Sequence, residues 1–184
     1  MSAAHPADVI VEEHKRIARM VEVLSRLAER VDAGQNVDRA DVRTTVQFFR
    51  NFVDLGHHEK EESVLIPELA RAGVSYPEGP LAEISADHKQ ERYLMRSLRH
   101  AALQNVEWSV DDQKHFANIA RELAALQRAH LSRENAALIP LLRTHLPADR
   151  LASVAREFEV IDAGREEDAS DAELEALIAR VLPA

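Results

Sequence analysis

Apolar residues recur along the chain at the spacing of helices that bury one face. In the first such segment, which begins near Pro6, the intervals between apolar residues alternate between four and three from Ile17 to Val31. This stripe is typical of a helix packed in a bundle. Similar stripes predict three further long helices and two short ones, near residues 38–67, 80–105, 111–142, 148–162 and 170–182. No segment alternates like a strand, so we predict an all-α fold.

Each of the four long stripes contains a histidine at a position where the pattern requires an apolar residue. In the first helix, His14 lies four residues after Ile10 and three before Ile17. In the second and fourth helices a glutamate follows the histidine by four residues, which places both side chains on one helix face. The polar residues inside the apolar stripes are therefore His14, His57, Glu61, His88, His130 and Glu134.

These polar residues belong to an internal repeat. The sequence His-x3-Glu-x3-Leu-Ile-Pro occurs twice, ending at Pro67 and at Pro140. The histidine of each copy follows the lone histidine of the preceding helix by 43 or 42 residues. Each half is therefore predicted to be an αα-hairpin, and two hairpins form an up-down-up-down four-helix bundle with the polar residues inside. We assign residues 1–145 to this bundle and residues 146–184 to a C-terminal helical appendage.

The register of the first copy is ambiguous because His58 and Glu62 form a second pair four residues apart. The distance from histidine to the final proline selects His57, because it is then ten residues in both copies. His58 and Glu62 are expected beside the site or at the surface, where either could supply an additional ligand. Glu91, three residues after His88, is a third additional candidate.

Imidazole and carboxylate groups in this arrangement indicate a metal site. Burying two carboxylates without compensation is costly, and two cations would offset that cost while keeping the imidazoles neutral. The sequence has no cysteine, which excludes thiolate sites, disulfides and iron–sulfur ligation by this chain. The donor set suits iron, manganese or zinc, and two shared glutamates favour a dinuclear centre. Ferritin-like di-iron helices carry Glu-x-x-His instead, so the ferritin-like pattern fits badly.

Composition and charge narrow the remaining classes of protein. Of 184 residues, 46% are hydrophobic and 30% charged, as in soluble globular proteins. The net charge of −9 argues against nucleic acid as the main partner, because phosphate binding needs a basic face. There is no apolar run of about 18 residues to form a membrane helix. The first residues lack the features of a signal peptide, so we expect a cytoplasmic location.

As a set, the six polar residues resemble the ligand pattern of the hemerythrin-like (HHE cation-binding) domain family, over about residues 8 to 145. Within that family, residues 130–140 are most similar to the domain of iron–sulfur cluster repair proteins, which respond to nitric oxide. The resemblance implies a carboxylate-bridged, non-haem di-iron centre. It implies that one iron is held by His14 and His57, the other by His88 and His130, and that the bridging residues are Glu61 and Glu134.

Two departures from the family pattern bear on function. Oxygen-carrying hemerythrins have a fifth histidine one turn after the third, and that position holds Arg92 here. This argues against stable carriage of O2. Cluster repair proteins usually have a cysteine-bearing segment at the N-terminus, whereas this sequence contains no cysteine.

Three functions are compatible with the sequence. The first is a di-iron protein that binds or reacts with O2, peroxide or NO in oxidative or nitrosative stress, with a peroxide- or NO-consuming enzyme as one form of it. The second is a non-enzymatic iron store or sensor whose C-terminal helices signal or form a homodimer. The third is a helical interaction protein without metal.

Overall fold

A computed structural model describes residues 4–76, 78–103, 108–165 and 169–182 of the protein. These residues form α-helices, one π-helical stretch and short connections, and they include no strand. None of the described helices is long and apolar enough to cross a membrane. The helices are α1 (Pro6–Asp32), α2 (Arg39–Phe48), α3 (Ile66–Arg71), α4 (Pro80–Leu103), α5 (Val110–Ala136), α6 (Leu138–His145), α7 (Leu151–Gly164) and α8 (Asp171–Val181).

The helix ends have local causes in the sequence. The Asp38 carboxylate accepts a backbone N–H in the first turn of α2, and Ser109 and Asp112 form a capping box at the start of α5. After α1, Gly34 has a φ of 66°, which explains why the helix ends there. The predicted end of the third long helix, near residue 105, lies outside the described residues.

The fourth long stripe is carried by two consecutive helices. α5 ends at Ala136, and Ala137 has φ −118° and ψ −57°, which departs from helical geometry before α6 begins. Pro140 explains the break, because a proline has no N–H to donate to the carbonyl four residues earlier and its ring clashes with that carbonyl.

Between α2 and α3 the chain continues as a wide π-helix over Phe49–His58 and Lys60–Leu65. Its i→i+5 hydrogen bonds put about one more residue into each turn than an α-helix has. The sequence indicates a loosened turn or close packing at Gly56, and both occur. A Cβ atom on Gly56 would lie 2.9 Å from the Arg165 side chain. The wide turns bury both histidines that follow Gly56.

The polar residues lie between two hydrophobic clusters of the bundle. Along α1, Ile10 belongs to the smaller cluster and Ile17 to the larger one, with His14 between them. The π-helical stretch and α4 contribute residues to both clusters in the same way, whereas along the fourth stripe α5 contributes to the larger cluster and α6 to the smaller one. Apolar packing therefore separates the polar layer from water on both sides.

Both C-terminal helices pack on the bundle. α7 places Val154 and Phe158 in the smaller cluster, and α8 places Leu174, Leu177 and Val181 in the larger one. The prediction of a four-helix bundle with two additional C-terminal helices is thus confirmed. The division of the chain after residue 145 stays a prediction, and the two parts share their hydrophobic clusters.

We expect Leu177→Ala to lower the free energy of unfolding by about 2–5 kcal/mol, because a buried leucine side chain would be lost from the larger cluster. Denaturant unfolding followed by circular dichroism measures the change. Val160→Ala on α7 is the control, since Val160 is 72% exposed. Equally small effects of the two substitutions would contradict the packing of α8 on the bundle.

Candidate metal centre

Four helical segments bring five histidines and two glutamates to one level of the bundle interior. One histidine comes from each of α1, α4 and α5, and two neighbouring histidines come from the π-helical stretch. All seven side chains are at most 4% exposed. They are His14, His57, His58, Glu61, His88, His130 and Glu134. The structure thus brings together the six residues predicted from the stripes and adds His58.

The ligand atoms of the six predicted residues form two overlapping groups. Within each group, one atom from each residue lies within 4.8 Å of the others. The first group contains His14 and His57, the second contains His88 and His130, and both include Glu61 and Glu134. The groups therefore share both carboxylates and differ in their histidines.

Each shared glutamate turns one oxygen towards each group. Glu61 Oε1 lies 3.6 Å from His57 Nε2, and Glu61 Oε2 lies 3.2 Å from His88 Nε2. For Glu134, Oε2 is 3.2 Å from an Nε2 atom of the first group and Oε1 is 3.0 Å from an Nε2 atom of the second. Both carboxylates are therefore placed between two sets of imidazole nitrogens, as a bridge between two cations requires.

The inner atoms of this cluster have no hydrogen-bond partners. They are the Nε2 atoms of the four histidines and all oxygens of the two shared glutamates. Buried polar atoms are nearly always satisfied, and two uncompensated carboxylates in an apolar interior are unfavourable. Two cations would satisfy all of these atoms at once. The residues therefore fit a dinuclear metal site.

In each hairpin, the histidine of the second helix is oriented through its outer nitrogen, Nδ1. The acceptor is the acidic residue directly before the histidine of the first helix. His57 Nδ1 donates to Glu13 at 3.0 Å, and His130 Nδ1 lies 3.4 Å from Asp87. Both contacts lie within one hairpin, and they occupy equivalent places in the repeat. Such contacts fix the orientation of an imidazole so that its other nitrogen faces the metal.

The residue after each shared glutamate reaches across to the other hairpin. Glu62 accepts a hydrogen bond from His88 Nδ1 at 2.8 Å, and Asn135 accepts one from His14 Nδ1 at 2.9 Å. Glu62, an additional candidate ligand on sequence, thus lies outside both ligand groups. The residues that hold the outer nitrogens, here termed the outer acceptors, are Glu13, Glu62, Asp87 and Asn135.

A basic residue directly before each shared glutamate holds an outer acceptor in turn. Lys60 donates to Glu13, and Arg133 donates to Asp87. The two halves differ in how these cations are covered. The Lys60 side chain is 2% exposed, whereas that of Arg133 is 34% exposed.

His58 is the additional candidate that the structure brings to the ligand atoms. Its ring stacks on that of His88 at 4.1 Å, and it forms a third group with His88 and His130. Glu91 is also fully buried, with Oε2 3.0 Å from His58 Nε2, but it lies outside the three groups. His58 faces inward because the π-helix is wider than the α-helix that the sequence argument assumed.

Arg92 occupies the position of the fifth histidine of oxygen carriers. Its side chain contacts acidic residues around the site. It donates two hydrogen bonds to Glu62, at 2.9 and 2.8 Å, and a third to Asp54 at 2.7 Å. Arginine offers no atom to a metal, because all of its nitrogens are donors. It fixes the outer acceptor of His88 instead.

Residues 5–142 match the sequence model of the hemerythrin HHE cation binding domain. The chain belongs to the hemerythrin HHE cation-binding domain family. Among curated proteins, no sequence matches the chain significantly. The resemblance drawn from the six polar residues is thereby confirmed, and the buried histidine and glutamate groups fit the metal site of a hemerythrin-like domain.

Without metal, the carboxylates of this hemerythrin-like site favour protons on the imidazoles. Burial lowers the pKa of His88, but the nearby carboxylates of Glu134, Glu61 and Glu62 outweigh burial and raise the pKa to about 12. At His57, burial is likewise outweighed by the Glu61 charge and other carboxylates, and the pKa lies well above its ordinary value. These protons occupy the positions that cations would take.

His58 behaves in the opposite way. Burial and the positive charges of His88 and His57 lower its pKa well below the ordinary value, so its imidazole is neutral. A neutral imidazole is the form that binds metal. Beside it, burial raises the pKa of Glu91 to about 7, so this carboxyl can hold a proton near neutral pH.

Several buried residues of the site were missed by sequence reasoning. A signal for two outer acceptors was present, since Glu13 and Asp87 precede equivalent histidines of the repeat. Gln127 was also missed: it is fully buried three residues before His130, and its amide has no hydrogen-bond partner. The apolar residue at that part of the fourth stripe is its neighbour Leu126, which is only partly buried.

We expect metal binding at pH 7 to release about two or more protons per protein, because the pKa values of His57, His88 and His130 are all raised in the metal-free site. Metal affinity should therefore rise with pH. Calorimetric titration of iron(II) in two buffers of different ionisation enthalpy measures the proton number. Binding without proton release, at an affinity that does not depend on pH, would contradict this electrostatic description.

Proposed function

We propose that the protein is a non-haem di-iron protein that binds or reacts with a small oxidant, namely O2, peroxide or NO, in oxidative or nitrosative stress. One observation carries the proposal: Glu61 and Glu134 each offer one oxygen to each of two histidine groups. Membership of the hemerythrin family supports iron as the metal. Manganese or zinc would suit the same donor atoms.

The ligand roles follow from the two groups. His14 and His57 would hold the first metal, and His88 and His130 the second, with Glu61 and Glu134 between them. His58 is the additional ligand that the geometry favours, on the side of the second metal. When bound, the two irons would supply Lewis acidity and electrons for chemistry on a small oxidant.

The protein itself excludes water and fixes the ligands. Hydrophobic clusters cover the polar layer on both sides, and the outer acceptors hold the four imidazole rings. Arg92 takes the place of a histidine, so we do not propose O2 carriage. Glu91 lies 3.0 Å from His58 Nε2, and burial raises its pKa in the metal-free site, so its carboxyl would be the nearest group to hold a proton beside the second metal.

A second candidate function is a non-enzymatic iron store or sensor. It is favoured by one contact, in which Asp162 on α7 lies 2.8 Å from the Lys60 ammonium, next to the outer acceptor of His57. A C-terminal helix thus reaches the surroundings of the first metal. A homodimer formed through the C-terminal helices and a cytoplasmic location are further proposals that rest on the sequence.

Metal analysis of the purified protein together with its absorption spectrum tests the proposal. We expect about two irons per chain and a visible spectrum that changes on adding peroxide, azide or NO. His57→Ala combined with His130→Ala should abolish iron binding, because one imidazole is lost from each group. His115→Ala combined with His145→Ala removes two histidines outside the site and is the matched control.

The outcomes separate the functions. Iron content that survives the His57 and His130 substitutions would refute the ligand assignment. Two irons without consumption of peroxide or NO would favour the store or sensor. A wild-type protein that takes up no iron, manganese or zinc would contradict both candidates.

A further inference from the structure

The C-terminal helix α7 covers the contact that orients one histidine of the metal centre. The Lys60 ammonium lies between Glu13 and Asp162, with Asp162 Oδ1 at 2.8 Å. Its other side faces the Phe158 ring of α7, 5.4 Å from the ring centroid. Glu13 in turn holds His57 Nδ1 at 3.0 Å. An unbroken chain of polar contacts therefore leads from α7 to an inner histidine.

A second contact brings the end of α7 against the same segment. Arg165 follows the helix, pairs with Asp162 at 3.2 Å and packs on Gly56 so closely that a Cβ atom there would lie 2.9 Å from it. Gly56 and Lys60 lie on either side of His57 along the chain. The end of α7 thus contacts the π-helical stretch both before and after this histidine.

The other half of the repeat provides an internal comparison. Arg133, Asp87 and His130 form the equivalent chain of contacts. The ion pairs of Arg133 are with Asp87 and, at 3.4 Å, with Glu83, and both acids lie on α4. A cation and an acid therefore orient a histidine in both halves, but within the described part of the chain only the cation of the first half, Lys60, pairs with a C-terminal helix.

We propose that Lys60 and Asp162 are positioning residues that couple the docking of α7 to the retention of metal by His57. This inference rests on the proposed function, because it requires a metal at His57 Nε2. If α7 leaves, Lys60 loses one of its two carboxylates and is exposed to water, and Glu13 loses a fixed partner. The His57 ring is then held less firmly. Coupling of this kind is reciprocal, so metal at the first position also stabilises docked α7.

Iron release from the full-length, iron-loaded protein measures one side of this coupling. Asp162→Asn should release one of the two irons about 10-fold faster to an iron(II) chelator, at the low end of the effects of groups that support metal ligands. Lys60→Met should accelerate the release of the same iron. Asp171→Asn is the matched control: it changes an exposed aspartate on α8 that pairs with Arg16 on α1. It should leave the release rates of both irons unchanged.

Hydrogen exchange of α7 measures the other side. In the wild-type chain, iron should slow exchange in α7 more than in α8, which serves as the internal reference. Asp162→Asn should reduce this iron-dependent difference. A merely structural role of Asp162 would speed exchange in α7 equally with and without iron. Asp162 is 41% exposed, so its substitution is compatible with folding even if Lys60→Met is not.

The results distinguish this inference from the proposed function. If wild-type protein retains two irons, Asp162→Asn releases them at the rate of Asp171→Asn, and α7 exchange does not respond to iron, only the coupling is overturned. If wild-type protein binds no iron, the proposed function and the coupling fall together. Faster release of one iron, together with a smaller iron effect on α7, is the result we expect.

Discussion

Two carboxylates buried at the centre of an apolar bundle are the constraint on which the rest of this structure depends. Glu61 and Glu134 are fully enclosed, and isolated buried charges of this kind would each cost several kcal/mol. Four inward-facing imidazoles compensate these charges in part, and cations bound to the two ligand groups would compensate them further. Hydrophobic clusters on both sides raise the cost of leaving these charges unpaired, and they also separate the two carboxylates from water.

The duplicated hairpin organises the site beyond its inner atoms. In each half an acid holds the second-helix histidine, a basic residue holds that acid, and the residue after the shared glutamate reaches the opposite hairpin. The two halves nevertheless differ in their surroundings. His58 and Glu91 lie beside the second group, and α7 covers Lys60 beside the first. A symmetric repeat thus places its two ligand groups in chemically different surroundings.

Helical periodicity and i, i+4 spacing were sufficient to predict the bundle and the convergence of the six inner residues, because both depend on local geometry. The inward position of His58 could not be predicted in this way, since the proline spacing assumes regular turns and the chain forms a π-helix there. The burial of Lys60 could not be predicted from the sequence either. Lysine is ordinarily exposed, and here its cover comes from Asp162 and Phe158, which lie far along the chain.

Anomalous diffraction from crystals of the iron-loaded protein tests the dinuclear site most directly. We predict two iron peaks about 3.5–4 Å apart, both in contact with Glu61 and Glu134. One peak should be held by His14 and His57, and the other by His88 and His130. A single peak at the centre, or iron away from the two glutamates, would contradict the account.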